Sequence, residues 1–110
     1  MIALQFVSAL AHTESGDNPN APLGDNGRAS GRWQMHPDWF WEWANHYNLP
    51  PDLNETLDSW FGRIILAFAN DHLRWMEPIN AAMYFHLGHQ TNPSKPDWDA
   101  AYAARFESFC

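Results

Sequence analysis

The sequence predicts a mainly α protein, a single domain over residues 1–110, with about five helices around a buried central one and a small β-hairpin or loop region near residues 17–35. Three observations lead there. Apolar residues recur at helical spacing in five stretches. Proline and glycine stand where those stretches begin and end. The segment between the first two is rich in Asn, Asp, Gly and Pro and has no helical period. A chain of 110 residues buries roughly two-thirds of the surface its unfolded form exposes, which is enough for one hydrophobic core.

The first helix is expected over residues 2–14, where Ala3, Val7 and Leu10 share a face whose next position is Glu14. Gly16 supplies the stop, because glycine tolerates the left-handed conformation that closes helices. Asp25-Asn26-Gly27 is a tight-turn signal within the following loop. Pro37-Asp38 opens a second helix through Trp39, Phe40, Trp41, Trp43, Ala44 and Tyr47, and Asn48-Leu49-Pro50-Pro51 ends it. A third begins after Asn54 or Thr56 and runs to about Met76. Its apolar residues Leu57, Trp60, Phe61, Ile64, Ile65, Leu66 and Phe68 cover most of its sides, as a central buried helix requires. Pro78 marks the start of a fourth, Ile79 to Leu87, stopped by Gly88; after a loop at 91–96 the fifth runs from Asp97 to Phe109, with Trp98, Tyr102 and Phe106 in helical spacing.

Composition narrows the function. Hydrophobic residues make up 45% and aromatic residues 15% of the chain, too many for a disordered segment. No apolar run approaches the ~20 residues that span a bilayer. Six Lys and Arg against thirteen Asp and Glu, with no basic run and a net charge of −7, argue against nucleic acid as a partner. Protonation of the six His would cancel most of that charge near pH 5. The lone Cys110 excludes an intrachain disulfide and gives no reason to expect redox chemistry. Residues 1–11 lack the basic leading region of a secretory signal and read as helix.

Glu14 stands out on physical grounds. It continues an apolar face and sits at the carboxy end of its helix, so burial and the helix dipole both disfavour its charged form. A carboxyl with a raised pKa suits a general acid near neutral pH; the plain alternative is a solvated glutamate at a helix end.

Ala11-His12-Thr13-Glu14-Ser15-Gly16, then Asn18-Pro19-Asn20-Ala21, then Gly31-Arg32-Trp33-Gln34-Met35 resemble the lysozyme-like superfamily, in particular lytic transglycosylases and goose-type lysozymes. Ala82 to Gly88 and Tyr102-Ala103-Ala104-Arg105 are looser matches to the later motifs of the same proteins. The resemblance implies an α+β lysozyme-like fold and a peptidoglycan-cleaving glycosidase, a muramidase or lytic transglycosylase. It implies that Glu14 protonates the β-1,4 glycosidic oxygen between N-acetylmuramic acid and N-acetylglucosamine, with Ser15 beside it in the substrate site. Phe85-His86 stands where the family carries Tyr-Asn, so whatever that Asn does for the substrate falls to His86.

A hydrolase of this kind needs a second carboxylate, at ~5 Å as nucleophile or ~6.5–9.5 Å as base. Asp25 is the candidate, if the turn folds back across the cleft, and Asp17 is a weaker one; the alternative for Asp25 is local hydrogen bonding within the turn. Gln34 offers both donor and acceptor to an N-acetyl group, or else ties loop backbone together. Trp33 and Tyr102 are candidate sugar-stacking residues. Trp39, Trp41, Trp43, Trp60 and Trp75 are expected in the core. His86-x-x-His89 and Glu42-x-x-x-His46 could each present two metal ligands. Structural zinc takes four and catalytic zinc three protein ligands, so no metal or other cofactor is expected.

The expected partner is a peptidoglycan glycan strand, bound by a monomer. Two other readings stay open: a non-catalytic glycan-binding or virion structural module with the same fold, and a glycosidase acting on chitin-type polymers.

Overall fold

A computed structural model describes residues 1–110 and contains five helices: α1 (Ala3–Ser15), α2 (Pro37–His46), α3 (Leu57–His72), α4 (Pro78–Leu87) and α5 (Ala100–Glu107). The chain is mainly α, as its periodicity predicts. α1 packs against α3 and α5, α2 against α3, and α4 against α5. No helix is long and apolar enough to cross a membrane.

The helix ends follow local chemistry. Gly16 and Gly88 close α1 and α4 in the left-handed conformation, with φ of 68° and 81°. Pro37 and Pro78 occupy the first turns of α2 and α4, where a missing N–H costs nothing. Of the two candidate caps of α3, Thr56 takes the role: its hydroxyl accepts from the Ser59 amide at 3.1 Å. Two boundaries differ from expectation. α3 ends at His72, after which Leu73–Met76 form a single turn and Glu77 becomes extended, as the residue before a proline must. α5 begins at Ala100, three residues late, because Asp99 caps it through the Tyr102 amide at 3.0 Å while the Asp97 carboxylate is engaged by His89 and Thr91.

α3 is the buried centre. Trp60, Phe61, Ile64, Ile65, Phe68, Ala69 and His72 are buried along it. The ring of Phe68 meets Phe6 of α1, Trp43 of α2, and Tyr84 and Phe85 of α4, with centroids 4.6–6.4 Å apart. Aromatic contacts from three neighbouring helices thus converge on one side chain.

The loop between α1 and α2 holds no extended strand. Two isolated antiparallel bridges, Gly24 with Ala29 and Ser30 with Met35, each close a short turn. Asp25, Asn26 and Gly27 take φ of 48°, 59° and 85°, a left-handed run that these residue types tolerate. The second half of the loop is anchored. The Arg32 guanidinium bonds Asp58 on α3 at 2.9 and 3.1 Å and Asp17 at 2.8 Å. Ser15 Oγ donates to the Arg32 carbonyl at 2.7 Å, and Met35 is buried.

Candidate functional site

A cavity of about 370 Å³ lies between the end of α1, the 24–36 loop, the start of α2 and the end of α4, lined by Glu14, Asp25, Ala29, Gln34, His36, Trp39, Phe85 and His86. Four of the residues singled out from sequence, Glu14, Asp25, Gln34 and His86, therefore border one space.

Glu14 arrives there because of how α1 sits. The buried side chains of that helix are Phe6, Ala9, Leu10, Ala11 and Thr13, while Ala3, Val7 and Glu14 are half-buried along the edge of that face. An edge position encloses the carboxyl without sealing it. Burial pushes its pKa up to about 7, against the lowering effects of a hydrogen bond from Tyr102 and the charge of Arg105. The Tyr102 hydroxyl donates to Glu14 Oε2 at 2.5 Å. Burial, reinforced by the Glu14 charge, drives the phenol well above its usual pKa, so it remains a donor.

Tyr102 is 3% exposed, so it supports Glu14 from behind instead of offering a stacking face to a sugar. His86 lies flat on it, with ring centroids 3.9 Å apart and planes 9° apart. Its Nε2 is 3.0 Å from Asp99 Oδ2. The Asp99 carboxyl is held below its ordinary pKa by the Tyr102 amide and by His86. α5 thus braces both Glu14 and His86 through adjacent groups.

The opposite wall is the loop. Asp25 Oδ2 lies 2.8 Å from His36 Nε2, and the Asp25 side chain is 62% exposed. Gln34 faces the cavity but spends its amide on the loop, donating to the Gly31 carbonyl at 3.0 Å and the Pro22 carbonyl at 3.4 Å. A Cβ on Gly24 would come within 2.2 Å of Gln34 Oε1, so this side chain is seated where only glycine leaves room. Gln34 thus ties the loop together while lining the cavity, whereas the Asp25 carboxylate pairs with His36 and makes no hydrogen bond within its own turn.

Three candidates sit elsewhere. Trp33 is buried at 6% exposure, and its Nε1–H donates to the Val7 carbonyl at 3.0 Å, so it joins the loop to α1 within the core and is no sugar platform. Ser15 Oγ donates to the Arg32 carbonyl and accepts from the Asn18 amide at 3.0 Å, a loop-fixing role. Asp17 is ion-paired with Arg32 and does not line the cavity.

The tryptophans expected in the core divide. Trp60 is buried and Trp43 packs against the core, whereas Trp41 and Trp75 are about half exposed, at 50% and 55%. Trp39 lines the cavity instead. It lies so close to Gly88 that a Cβ there would meet its Cζ2 at 2.2 Å.

His36 and Asp99 were not singled out from sequence, and Trp39 was expected in the core. The only available signal was Pro37-Asp38, which places Trp39 on the first turn of α2, facing the loop that precedes it. His86 is engaged by Asp99 and His89 by Asp97, and no three His, Cys, Asp or Glu side chains, Glu42 and His46 included, converge as metal ligands.

Chemically, the cavity offers a proton donor poised near neutrality, a second carboxylate, two imidazoles and one indole face. No family model, curated protein or solved structure matches the chain.

Proposed function

We propose that the protein is a peptidoglycan-cleaving glycosidase in which Glu14 is the general acid. One observation carries the reading: a partly buried carboxyl, raised to a pKa of about 7 by enclosure and fixed by the Tyr102 hydroxyl, borders a cavity large enough for a sugar ring. Such an acid is still protonated where an ordinary glutamate has ionised, and it can give that proton to a glycosidic oxygen. The motif resemblance around Glu14, Asn18 and Gln34 supplies the substrate class, the β-1,4 bond between N-acetylmuramic acid and N-acetylglucosamine.

The sugar would lie against Trp39 and the Asp25–His36 pair, which line the same cavity. The indole suits the apolar face of a pyranose, and the polar rim suits its hydroxyl and acetamido groups. Protonation of the leaving oxygen lets the C1–O4 bond break toward an oxocarbenium-like centre. That centre is captured by water, giving a reducing end, or by the sugar's own 6-hydroxyl, giving a 1,6-anhydro end.

The test is purified protein on cell-wall suspensions between pH 5 and 8, followed by mass spectrometry of the released muropeptides. Clearing by wild type and its loss in Glu14→Gln are the expected results. Binding to insoluble peptidoglycan with no soluble product would overturn cleavage and leave a glycan-binding module. Release from chitooligosaccharides but not from walls would move the substrate to chitin-type polymers.

A further inference from the structure

We propose that His86, oriented by Asp99, is the general base of this site and removes a proton from the attacking water. The proposal rests on the glycosidase reading above and says which group completes it.

The two nitrogens of the His86 ring have different surroundings. Nε2 of His86 lies 3.0 Å from Asp99 Oδ2, and an ionised carboxylate can only accept, so the proton of the neutral imidazole sits on Nε2. Nδ1 then carries the lone pair. It has no partner within the protein, and the one buried unpartnered side-chain polar atom in the chain is Asn80 Oδ1, so Nδ1 is open to solvent. His86 lines the cavity that holds Glu14. A carboxylate-fixed tautomer whose other nitrogen has no protein partner, on a residue that lines the cavity, is the arrangement that general-base catalysis requires.

Three further features suit the imidazolium that proton capture creates. Asp99 is already ionised beside it. The Tyr102 ring is stacked under it at 3.9 Å and presents a π-face. His86 also lies in the last turn of α4, where unpaired carbonyls favour a cation. The charged, titratable and aromatic groups around it are Glu14 from α1, Asp25, Arg28 and His36 from the loop, Asp38 and Trp39 from α2, and Asp99 and Tyr102 at the start of α5; Arg28 is ion-paired with Asp38.

Asp25 is less suited to the same task. Its carboxylate is engaged by His36, and at 62% side-chain exposure it is more solvated than His86 at 31%. Tyr102 touches both groups, its ring face stacked on His86 and its hydroxyl bonded to Glu14.

Glu14 gives its proton to the glycosidic oxygen, which takes the electron pair of the breaking C1–O4 bond. Water oxygen bonds to C1 on the other side, and its proton passes to His86 Nδ1. His86 releases that proton to solvent and Glu14 regains one, so the net change is addition of one water across the bond.

Asp99→Asn is the decisive variant. Asparagine caps a helix as well as aspartate does, so α5 is kept. Its amide NH₂ would face Nε2, however, forcing the proton to Nδ1 and removing the base. The expected result is a fall in kcat of roughly 100-fold or more with little change in KM and an unchanged thermal midpoint. His86→Ala should lose activity similarly and regain part of it with added imidazole, which a packing role would not allow. Wild type should release reducing ends. Asp99→Asn within about threefold of wild type, no rescue of His86→Ala by imidazole, or anhydro ends from wild type would each overturn the proposal. Activity lost in Glu14→Gln but kept in Asp99→Asn would overturn the base while leaving the glycosidase reading intact; a wild type that releases nothing from walls would overturn both.

Discussion

The hydroxyl of Tyr102 meets Oε2 of Glu14 at 2.5 Å across 88 positions of sequence, joining the last helix to the end of the first. The contact opposes burial: it favours the carboxylate, while enclosure favours the acid, and enclosure prevails. The acid strength of Glu14 is therefore set jointly by α1 and α5.

Tyr102→Phe should raise the pKa of Glu14 beyond its value of about 7, because the donor to the carboxylate is gone while the enclosure stays. A general acid works only while protonated, so wild-type cleavage should fall as pH rises through about 7. In the variant that alkaline limb should move upward by roughly one pH unit, about the worth of one charge-assisted hydrogen bond. A pH–rate profile of muropeptide release reads the shift; a limb that stays in place or moves down would contradict this account of the pKa.

Glu14→Gln should stabilise the protein selectively at alkaline pH. The folded-state pKa of about 7 exceeds the ordinary 4.5, so the native state holds this proton more tightly than the unfolded chain. Stability from this group is thus fully present below pH 4.5 and is lost as pH rises toward and through 7. Above that, the ionised carboxyl costs up to about 3 kcal/mol, which glutamine does not incur. Thermal melts should show the variant well above wild type at pH 8 and the two converging near pH 4.

Gly88→Ala should destabilise the fold by more than about 2 kcal/mol, combining a left-handed backbone that L-residues resist with a direct clash. The φ there is 81°, and the added methyl would lie 2.2 Å from Trp39 Cζ2. Since Trp39 must shift, urea unfolding should show a lowered midpoint and tryptophan emission of the native state should change.

Trp33 and Trp39 should separate cleanly. Trp33→Ala empties a core position and should cost roughly 3–5 kcal/mol in denaturant unfolding. Trp39→Ala should cost less stability and weaken binding to insoluble peptidoglycan more, because Trp39 lines the cavity and is only partly buried. A binding defect confined to Trp33 variants that remain folded would reverse this assignment.

These two residues also mark how far the sequence could be read. Helix boundaries set by local chemistry were legible: Gly16, Gly88, Pro37 and Pro78 act within one turn of themselves. Glu14 was legible because α1's own periodicity carries it to the edge of the buried face. Which tryptophan enters the core and which borders the cavity was not. Trp33 is fixed by the Val7 carbonyl 26 positions earlier, and Trp39 by a glycine 49 positions later. Composition cannot encode either contact. Asp99 was hidden for a similar reason: its cap is local, but its partner His86 lies 13 residues back, across a loop that no period connects.

The anchored half and the open half of the α1–α2 loop have different futures under mutation. Residues 32–35 are tied to α1, α3 and the core by Arg32, Trp33 and Met35, whereas residues 25–28 are exposed and left-handed at three of four positions. Added chain at the Asn26–Gly27 turn would lengthen the rim of the cavity without disturbing a single core contact. Insertion at that turn would reshape one wall of the cavity while Glu14, on the opposite wall, keeps its place.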